Sequence, residues 1–232
     1  MTVPANATRI YRSPKRAQQA AATRSRILTA AARQFAESGY TASSFRMIAA
    51  EAGVSVPAVE LHFHSKAQLL KAAIDVAIAG DEQPVAVLDR SWAARASRAR
   101  SIRGFLAPAA GALRQGQQRS AGLILTAYEA ANTDTGIREV VGQLEAGRTG
   151  TATWIVKGLT DRAPLRDDIT VQAAIDIVWL LMDPVVYHRL TSTRGWTEEQ
   201  YENWFTDSVL RLLQAAGTDA PPSTKENDDE YN

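Results

Sequence analysis

The chain has 232 residues, 45% of them apolar, which is enough for one large domain or two small ones with a substantial core. Its 26 Lys and Arg residues almost balance its 25 Asp and Glu residues, so the total charge points to no class of partner. Cysteine is absent, which excludes disulfides, thiolate zinc sites and cysteine nucleophiles. The longest apolar run, Ile177–Met182, has six residues, whereas a membrane helix needs about 20. No secretory leader pattern opens the sequence, and we expect a cytoplasmic protein with no membrane partner.

Charge is distributed unevenly along the chain. The first acidic residue is Glu37, and seven basic residues precede it. These are Arg9, Arg12, Lys15, Arg16, Arg24, Arg26 and Arg33. Two interpretations of this basic end stay open: a solvated, disordered arm over residues 1–17, or a segment that follows DNA. Residues 217–232 contain five acidic residues and one lysine, and we expect them to form a disordered acidic tail.

Apolar residues recur at helical spacing and strand-like alternation is scarce, so an all-α fold is expected. A first helix over residues 18–38 would end at Gly39, a residue suited to a helix C-terminus. Ser43 can cap a short second helix that Gly53 ends. The inward faces of these two helices would carry Ile27, Leu28, Ala31, Phe35, Phe45, Ile48 and Ala49.

The next two helices are predicted from their first turns. Ser55 can cap a very short helix that tolerates Pro57 near its start. Ser65 and Gln68 then have the spacing of a capping box, which begins a longer helix over residues 66–79. Weaker helical patterns follow near residues 97–115, 119–131 and 137–159. The two short helices and the glycine-containing turn between them have the pattern of a helix–turn–helix.

Two apolar stripes occur near the C-terminus, and the first of them is wider than one helix face. The first extends over residues 171–182, and the second over residues 201–212, after a Thr197–Gln200 capping box. A helix that is apolar over most of its circumference has to be covered on more than one side. The chain's own core could provide this cover, and we expect a second subunit to provide the rest. The predicted dimer interface comprises Val171, Ile175, Val178, Tyr201, Trp204, Phe205, Val209 and Leu212.

An ordered set of residues within 24–70 carries a family resemblance. The set is Phe35, Gly39, Tyr40, Ile48, Ala49, Ala52, Gly53, Val54, Ser55, Val59, Phe63, Ser65, Lys66 and Leu69. These residues resemble the N-terminal domain of TetR-family transcriptional regulators, and residues 179–204 resemble the C-terminal part of many of them more weakly. The resemblance implies a homodimer of about nine helices per subunit. A helix–turn–helix domain over residues 18–66 would precede a larger effector-binding and dimerisation domain over residues 67–216.

Carried over onto this chain, the resemblance implies a recognition helix over residues 56–62. Ser55 could contact a phosphate or a base, and the apolar side chains that follow it could contact thymine methyl groups. His62 and Lys66 match family positions associated with phosphate contacts. The implied DNA-binding residues are Ser44, Arg46, Ser55, Val56, Pro57, Ala58, Glu60, Leu61, His62 and Lys66.

Glu60 departs from the family pattern, which most often has a DNA-contacting tyrosine at this position. A carboxylate cannot donate to a phosphate, but it can accept a hydrogen bond from cytosine N4. Three interpretations stay open. Glu60 reads a cytosine, or it lowers affinity for DNA, or it forms a salt bridge away from DNA, for example with Lys66.

An effector pocket is implied among the middle helices. Its candidate residues are Phe105, Leu125, Tyr128, Glu129, Trp154, Trp179 and Met182, although ordinary core packing is an alternative for each. Asp176 and Asp183 also lie amid apolar runs, and each could meet an arginine of the chain or a cationic ligand. No cofactor is expected. A metal site is not expected either, because His62 and His64 would diverge by about 200° on a helix.

The sequence therefore predicts a dimeric, sequence-specific DNA-binding regulator, and a repressor released by a small molecule is the expected form. Its partners would be palindromic operator DNA, a second copy and the effector. No phosphate-binding loop, G-x-S-x-G or H-E-x-x-H pattern is present, so no enzyme is expected. The alternative is a helical dimeric protein-interaction module with weakened or lost DNA binding, for which Glu60 is the main argument.

Overall fold

The structure is a computed structural model that describes residues 14–215, and this part of the chain is all-helical, as the sequence predicts. Its ten α-helices are α1 (Pro14–Ala42), α2 (Phe45–Ala52), α3 (Val56–His62), α4 (Lys66–Ala79), α5 (Ser91–Arg98), α6 (Ile102–Ala130), α7 (Thr135–Thr160), α8 (Val171–Leu181), α9 (Pro184–His188) and α10 (Glu198–Leu213). A 3₁₀ turn covers Val87–Asp89 and a π turn covers Arg189–Thr193. Leu165 and Gln214 form an isolated antiparallel bridge. Within these bounds, no helix has the length and apolar character needed to cross a membrane.

The start of α1 differs from the prediction. The helix begins at Pro14, so residues 14–17 of the predicted disordered arm are helical. Residues 1–13 and the predicted acidic tail lie outside the described residues. The predicted inward face of α1 is confirmed, because Ile27, Leu28, Ala31 and Phe35 are all buried. Gly39 interrupts the helix at a positive φ of 75°, a conformation that glycine adopts without strain.

The cap of α2 is Ser44 and not the predicted Ser43. The Ser44 hydroxyl accepts a hydrogen bond from the backbone N–H of Met47 at 3.3 Å. Ser43 instead donates its hydroxyl to the carbonyls of Gly39, at 2.7 Å, and Gln34, at 3.1 Å. Ser43 is therefore buried against the end of α1, which leaves the next residue to begin α2.

The predicted helices over 97–115 and 119–131 are one continuous helix, α6. The polar residues that interrupt the apolar pattern are buried and bonded within the fold. Gln117 donates its side-chain amide to the carbonyl of Met182 at 2.7 Å, and Ser120 donates its hydroxyl to the carbonyl of Gly116 at 2.8 Å. These bonds let polar side chains lie inside the core without ending the helix. The short helices α5 and α9 were not predicted.

The chain divides into two compact units. Of the described residues, the first unit contains 14–82 together with Gly122–Val141, and the second contains Gln83–Ala121 together with 142–215. The first unit includes α1–α4 and the turn between α6 and α7, so it extends beyond the helix–turn–helix domain expected over residues 18–66. The functional assignment of residues 67–216 stays a prediction.

Candidate nucleic-acid interface

The turn between α2 and α3 has the geometry of a helix–turn–helix. Gly53 adopts the left-handed conformation at φ 63° and ψ 41°, and its N–H donates to the carbonyls of Ala49 and Ala50. Ser55 then caps α3, because its hydroxyl oxygen accepts from the N–H of Ala58 at 3.3 Å. Val59 is fully buried and anchors α3. The structure thus confirms the predicted bounds of the recognition helix, residues 56–62.

The outward face of α3 consists of Pro57, Glu60 and Leu61, which are all exposed. Their i, i+3, i+4 spacing puts them on one side of the helix. Leu61 is 78% exposed, the largest value among the exposed large apolar residues of the described chain. The remaining predicted α3 contacts, Val56, Ala58 and His62, are half-buried. The outward face of α3 thus offers one apolar side chain and one carboxylate to solvent.

Glu60 forms no ion pair or hydrogen bond with any residue between 14 and 215. The interpretation that Glu60 forms a salt bridge, for example with Lys66, is therefore wrong for the described residues, and the other two interpretations of Glu60 remain. From Met47 to Ser65 the sequence contains no Lys or Arg, so α3 carries neither of these cations.

Lys66 is held by the end of α1. Its ammonium donates to the carbonyls of Tyr40, at 2.8 Å, and Ser43, at 3.0 Å, and lies 4.2 Å from the centroid of the Tyr40 ring. Burial lowers the pKa of Lys66, and the nearby Asp134 carboxylate opposes that shift. Two of its three donors stabilise the chain itself, so Lys66 has one left for the predicted phosphate contact.

A hydrogen bond ties the turn before α7 to the end of α1. The Tyr40 hydroxyl donates to the Asp134 carboxylate at 2.8 Å, and the other oxygen of Asp134 accepts from the N–H of Ile137 at 3.0 Å. The bond from Tyr40 is the main reason why the pKa of Asp134 is lowered. Burial raises the pKa of Tyr40. Sequence reasoning did not assign a role to Asp134, because its partner lies 94 residues away.

Two arginines of α1 are neutralised within the domain. Arg24 pairs with Glu82 at 2.8 Å and lies over the Phe63 ring, and Arg33 pairs with Glu51 at 3.2 Å. Arg46 and Arg26 are exposed and have no ion pair in the part of the chain that the structure describes. A Cβ built on Gly53 would lie 3.8 Å from the Arg26 guanidinium, so Arg26 lies beside the helix–turn–helix turn.

Arg26 is a candidate phosphate contact that sequence reasoning did not single out. It precedes the buried Ile27, so the helical period of α1 could have indicated its outward position. Ser44 and Ser55 both act as caps, yet each hydroxyl hydrogen stays free for a phosphate while its oxygen accepts from the backbone.

Comparison with known proteins agrees with this geometry. Residues 27–73 match the model of the bacterial regulatory proteins of the tetR family. The chain carries a tetR-family helix–turn–helix domain. This confirms the resemblance that the sequence shows over residues 24–70. No curated protein sequence matches the chain.

Similar solved structures share the tetR-type fold. A TetR family transcription regulator from Marinobacter aquaeolei is 20% identical, with a TM-score of 0.60 over 86% of this chain and 100% of that one. The transcriptional regulator FadR from Bacillus subtilis, in complex with stearoyl-CoA, is 17% identical, with a TM-score of 0.61 over 80% and 96%. The SmeT–triclosan complex is 19% identical, with a TM-score of 0.63 over 90% and 100%.

The predicted dimer interface needs correction. Val178, Tyr201, Phe205 and Val209 are 0% exposed, so they belong to the core of their own subunit and cannot meet a partner. Ile175 and Trp204 are partly buried against the second unit's own aromatic and aliphatic residues. Val171, at 57%, and Leu212, at 41%, are exposed, and so is Leu180 at 57%, which the prediction omitted.

The second unit contains a cavity of about 610 Å³. Its apolar wall is formed by Phe105 and Trp154, whose ring centroids are 5.0 Å apart. Gly158 allows this arrangement, since a Cβ there would lie 2.0 Å from the Phe105 ring. The lining comprises Ser97, Ala99, Arg100, Phe105, Trp154, Lys157, Gly158, Asp161 and Arg162.

Most of the charge in this cavity is already paired. Arg162 lies 4.4 Å from the Phe105 ring centroid and donates to the carbonyls of Ala99 and Gly158. Lys157 pairs with Asp161 at 2.8 Å. Arg100 is exposed and makes no ion pair with any described residue. The cavity therefore combines an aromatic wall with one cation that is available to a ligand.

The other predicted pocket residues lie elsewhere. Trp179 stacks under the guanidinium of Arg148 at 3.8 Å, and Arg148 pairs with Asp183 at 2.7 Å, as the sequence allowed. Met182 is buried in the core. Leu125, Tyr128 and Glu129 belong to the first compact unit, where Glu129 is exposed.

Asp176 is exposed and accepts from the side chain of Gln172. Residues 14–215 contain no group of three or more His, Asp or Glu side chains that could hold a metal ion.

Proposed function

We propose that this protein is a dimeric, sequence-specific DNA-binding transcriptional regulator, and that it represses until a small molecule releases it. One observation carries the proposal. A capped α3 exposes Pro57, Glu60 and Leu61 together, within a domain that matches the tetR family. A short helix presented in this way fits the major groove of DNA. Because it acts on operator DNA, we expect the protein in the cytoplasm.

The exposed cations beside α3 support DNA binding. Arg26 and Arg46 flank the turn and the start of α2, and Lys15 and Arg16 are exposed in the first turns of α1. Phosphate contacts from such residues position a reading helix without selecting a sequence. Occupying a promoter in this way is sufficient for repression.

The test is binding to the intergenic DNA upstream of the protein's own gene, measured by fluorescence anisotropy at 50 and 200 mM salt. A protein that makes six or more phosphate contacts loses about 10³-fold in DNA affinity as salt rises over that range. Fewer phosphate contacts should still give a clear loss of affinity. Tight, salt-sensitive binding supports the proposal. A protein that ignores this DNA and random-sequence DNA at 50 mM salt would overturn it, and the interaction-module alternative would then lead.

A second copy is the partner that fits α8 and α10. Val171, Leu180 and Leu212 leave large apolar side chains in solvent on these two helices. A two-fold arrangement would cover the same patch, Leu180 and Leu212, on both copies. Val171 lies about half a helical revolution from Leu180 and therefore faces another side of α8. The two-fold arrangement would also provide two recognition helices for the two halves of a palindromic site, which have to lie about one helical turn of DNA apart or a multiple of it.

Substitution of this patch tests the dimer. We expect Leu180→Asp combined with Leu212→Asp to weaken self-association at least about tenfold, because each buried carboxylate would lack a partner. Sedimentation velocity over a concentration series measures the change. Val85→Asp is the control, since Val85 is a comparable exposed apolar residue outside the patch. If the double variant and the Val85→Asp control both lose self-association to the same extent, or if neither does, the proposed dimer interface is contradicted.

We propose the cavity of the second unit as the effector site. Similar structures include complexes with stearoyl-CoA and with triclosan, which favours a small-molecule effector here too. Phe105 and Trp154 offer a wall for a flat apolar body, and Arg100 offers a charge for an acidic group. A ligand that binds one separation of the two reading helices more tightly than another changes DNA affinity by that difference.

1-Naphthoate is a suitable probe of this site, because it joins a flat apolar body to a carboxylate. We expect saturable quenching of tryptophan fluorescence that Trp154→Phe reduces and Arg100→Ala shifts to higher concentration. Trp196→Phe is the control, since Trp196 packs on Trp204 and does not line the cavity. Quenching that Trp154→Phe leaves unchanged would exclude this cavity.

A further inference from the structure

We infer that Glu60 and Leu61 read a cytosine and a neighbouring thymine in each half of the operator. This inference rests on the proposed DNA-binding function and goes beyond it by naming the bases. It follows from three features of α3, namely an unpaired carboxylate, an exposed leucine and a lack of Lys and Arg.

In the major groove, one base is better suited than the others to donate a hydrogen bond to the Glu60 carboxylate. Glu60 is exposed and makes no ion pair with the described residues, so its carboxylate is available and can only accept hydrogen bonds. Cytosine presents the N4 donor at the groove edge. Adenine also presents a donor, but its N7 acceptor lies beside it, and guanine presents two acceptors. The carboxylate therefore favours cytosine and is repelled by guanine.

Leu61 adds an apolar contact beside the carboxylate. It is 78% exposed and lies next to Glu60 on the outward face of α3. The thymine C5-methyl is the one apolar group that the bases present in the major groove. Burying leucine against that methyl removes apolar surface from water, which no other base offers to the same extent.

The composition of α3 excludes the most common form of guanine reading by this helix. Lys and Arg are absent from Met47 to Ser65, so a bidentate contact to guanine O6 and N7 is not available from α3. The single exposed acidic residue on α3 also carries a charge that phosphates repel. Glu60 thus penalises DNA in general and is compensated where a cytosine donor meets it.

The experiment compares variants on an operator isolated by selection from a random duplex library. Glu60→Ala and Leu61→Ala are measured against the wild type by anisotropy at fixed salt. Glu199→Ala is the matched control, because it removes the same charge from an exposed position on α10, which belongs to the other compact unit. The duplexes carry the selected site, the site with the cytosine pair replaced, and the site with deoxyuracil in place of thymine.

For Glu60→Ala we expect two opposite changes. Affinity for random-sequence DNA should rise, because a negative charge is lost near the phosphates. Discrimination for cytosine over the other bases at the contacted position should fall about tenfold or more, the usual range for one base-specific contact. Glu60→Gln should shift the preference towards adenine, since an amide pairs with adenine N6 and N7.

For Leu61→Ala we expect loss of the thymine contact alone. Deoxyuracil lacks only the C5-methyl, so the wild type should bind the substituted site several-fold more weakly and Leu61→Ala should bind both sites equally. Replacement of guanine by inosine, which changes only the minor groove, should affect neither protein.

The outcomes separate this inference from the function on which it rests. If Glu60→Ala strengthens binding to every sequence equally, Glu60 only repels DNA and the inference is overturned while DNA binding stands. An unaltered deoxyuracil effect in Leu61→Ala would overturn the thymine contact in the same way. If no library member is retained by the wild type at low salt, the DNA-binding function itself fails.

Discussion

The helix–turn–helix and the α8–α10 pair are stabilised in different ways. The short helices α2 and α3 together bury Ile48, Ala49, Ala52 and Val59, and their ends depend on hydrogen bonds to Ser44, Gly53 and Ser55. α8 and α10 together bury Ala174, Val178, Tyr201, Phe205, Val209, Leu210 and Leu213. The first region depends on local caps and the second on long-range packing.

This difference determines what each surface can do. Because small buried residues and caps hold α3, its outward face is free to expose a carboxylate and a leucine to a partner. In α8 and α10 most of the apolar side chains pack in the core of the subunit. Only the few exposed apolar side chains of these helices are available to a second subunit. Four substitutions, from the largest expected effect to the smallest, test the comparison.

The largest effect is expected for Phe205→Ala. Phe205 is fully buried in the core of the second unit, and removing such a ring costs about 3–5 kcal/mol of the free energy of unfolding. Chemical denaturation followed by circular dichroism measures the loss at a fixed protein concentration. Leu212→Ala, at an exposed position of the same helix, should cost far less. Equal losses of unfolding free energy for Phe205→Ala and Leu212→Ala would contradict this orientation of α10.

Lys66→Met should be the most costly substitution in the helix–turn–helix region. It removes two hydrogen bonds from a charged donor to the carbonyls of Tyr40 and Ser43, and such bonds are worth about 1.5–3 kcal/mol. DNA affinity should fall for all sequences alike, because the end of α1 loses its anchor. Lys71→Met, in the same helix but paired only with Asp75 at i+4, serves as the control. A full loss of DNA affinity without loss of stability would show that Lys66 acts mainly as a direct phosphate contact.

Tyr40→Phe tests the link to Asp134 and should cost about 1 kcal/mol of unfolding free energy at neutral pH. The hydrogen bond holds the pKa of Asp134 below its usual value near 3.8 in the folded state. Its contribution is therefore complete above that value and is lost as the pH falls through the lower folded-state pKa. Wild type and variant should converge in stability at acid pH, and a difference that persists there would contradict this origin.

The smallest effect is expected for Ser55→Ala, which removes the cap of α3. Loss of a serine cap costs about 0.5–1 kcal/mol, whereas Ser55→Gly should cost only a few tenths. Hydrogen exchange of the Ala58 and Val59 amides would locate the loss in α3. Faster exchange spread equally over α8 and α10 would show that the caps do not act locally.

The bounds of α3 and α4 could be predicted because their signals lie within a few residues of the helix ends. Ser55, Gly53 and Ser65 each act on backbone groups nearby. The error at Ser43 shows the limit of such reasoning. Two adjacent serines have the same capping chemistry, and contacts with the end of α1 decide between them.

The interface and the Lys66 contact could not be predicted, because both depend on distant parts of the chain. A helical stripe such as 201–212 reports which residues are apolar but not which of them the subunit's own core covers. Tyr201 and Leu212 belong to the same pattern, yet one is fully buried and the other is exposed. The partners of Lys66 lie 26 and 23 residues away and are backbone atoms, which leave no trace in the sequence pattern.

Gly158 and Phe105 constrain one another during mutation. A Cβ at position 158 would overlap the Phe105 ring, so alanine is excluded there unless the buried ring shifts. Smaller side chains at position 105 remove this exclusion. In a library randomised at both positions, we expect residues larger than glycine at 158 only where 105 has become small. The two positions therefore change together, and a change in the shape of this cavity requires paired substitutions.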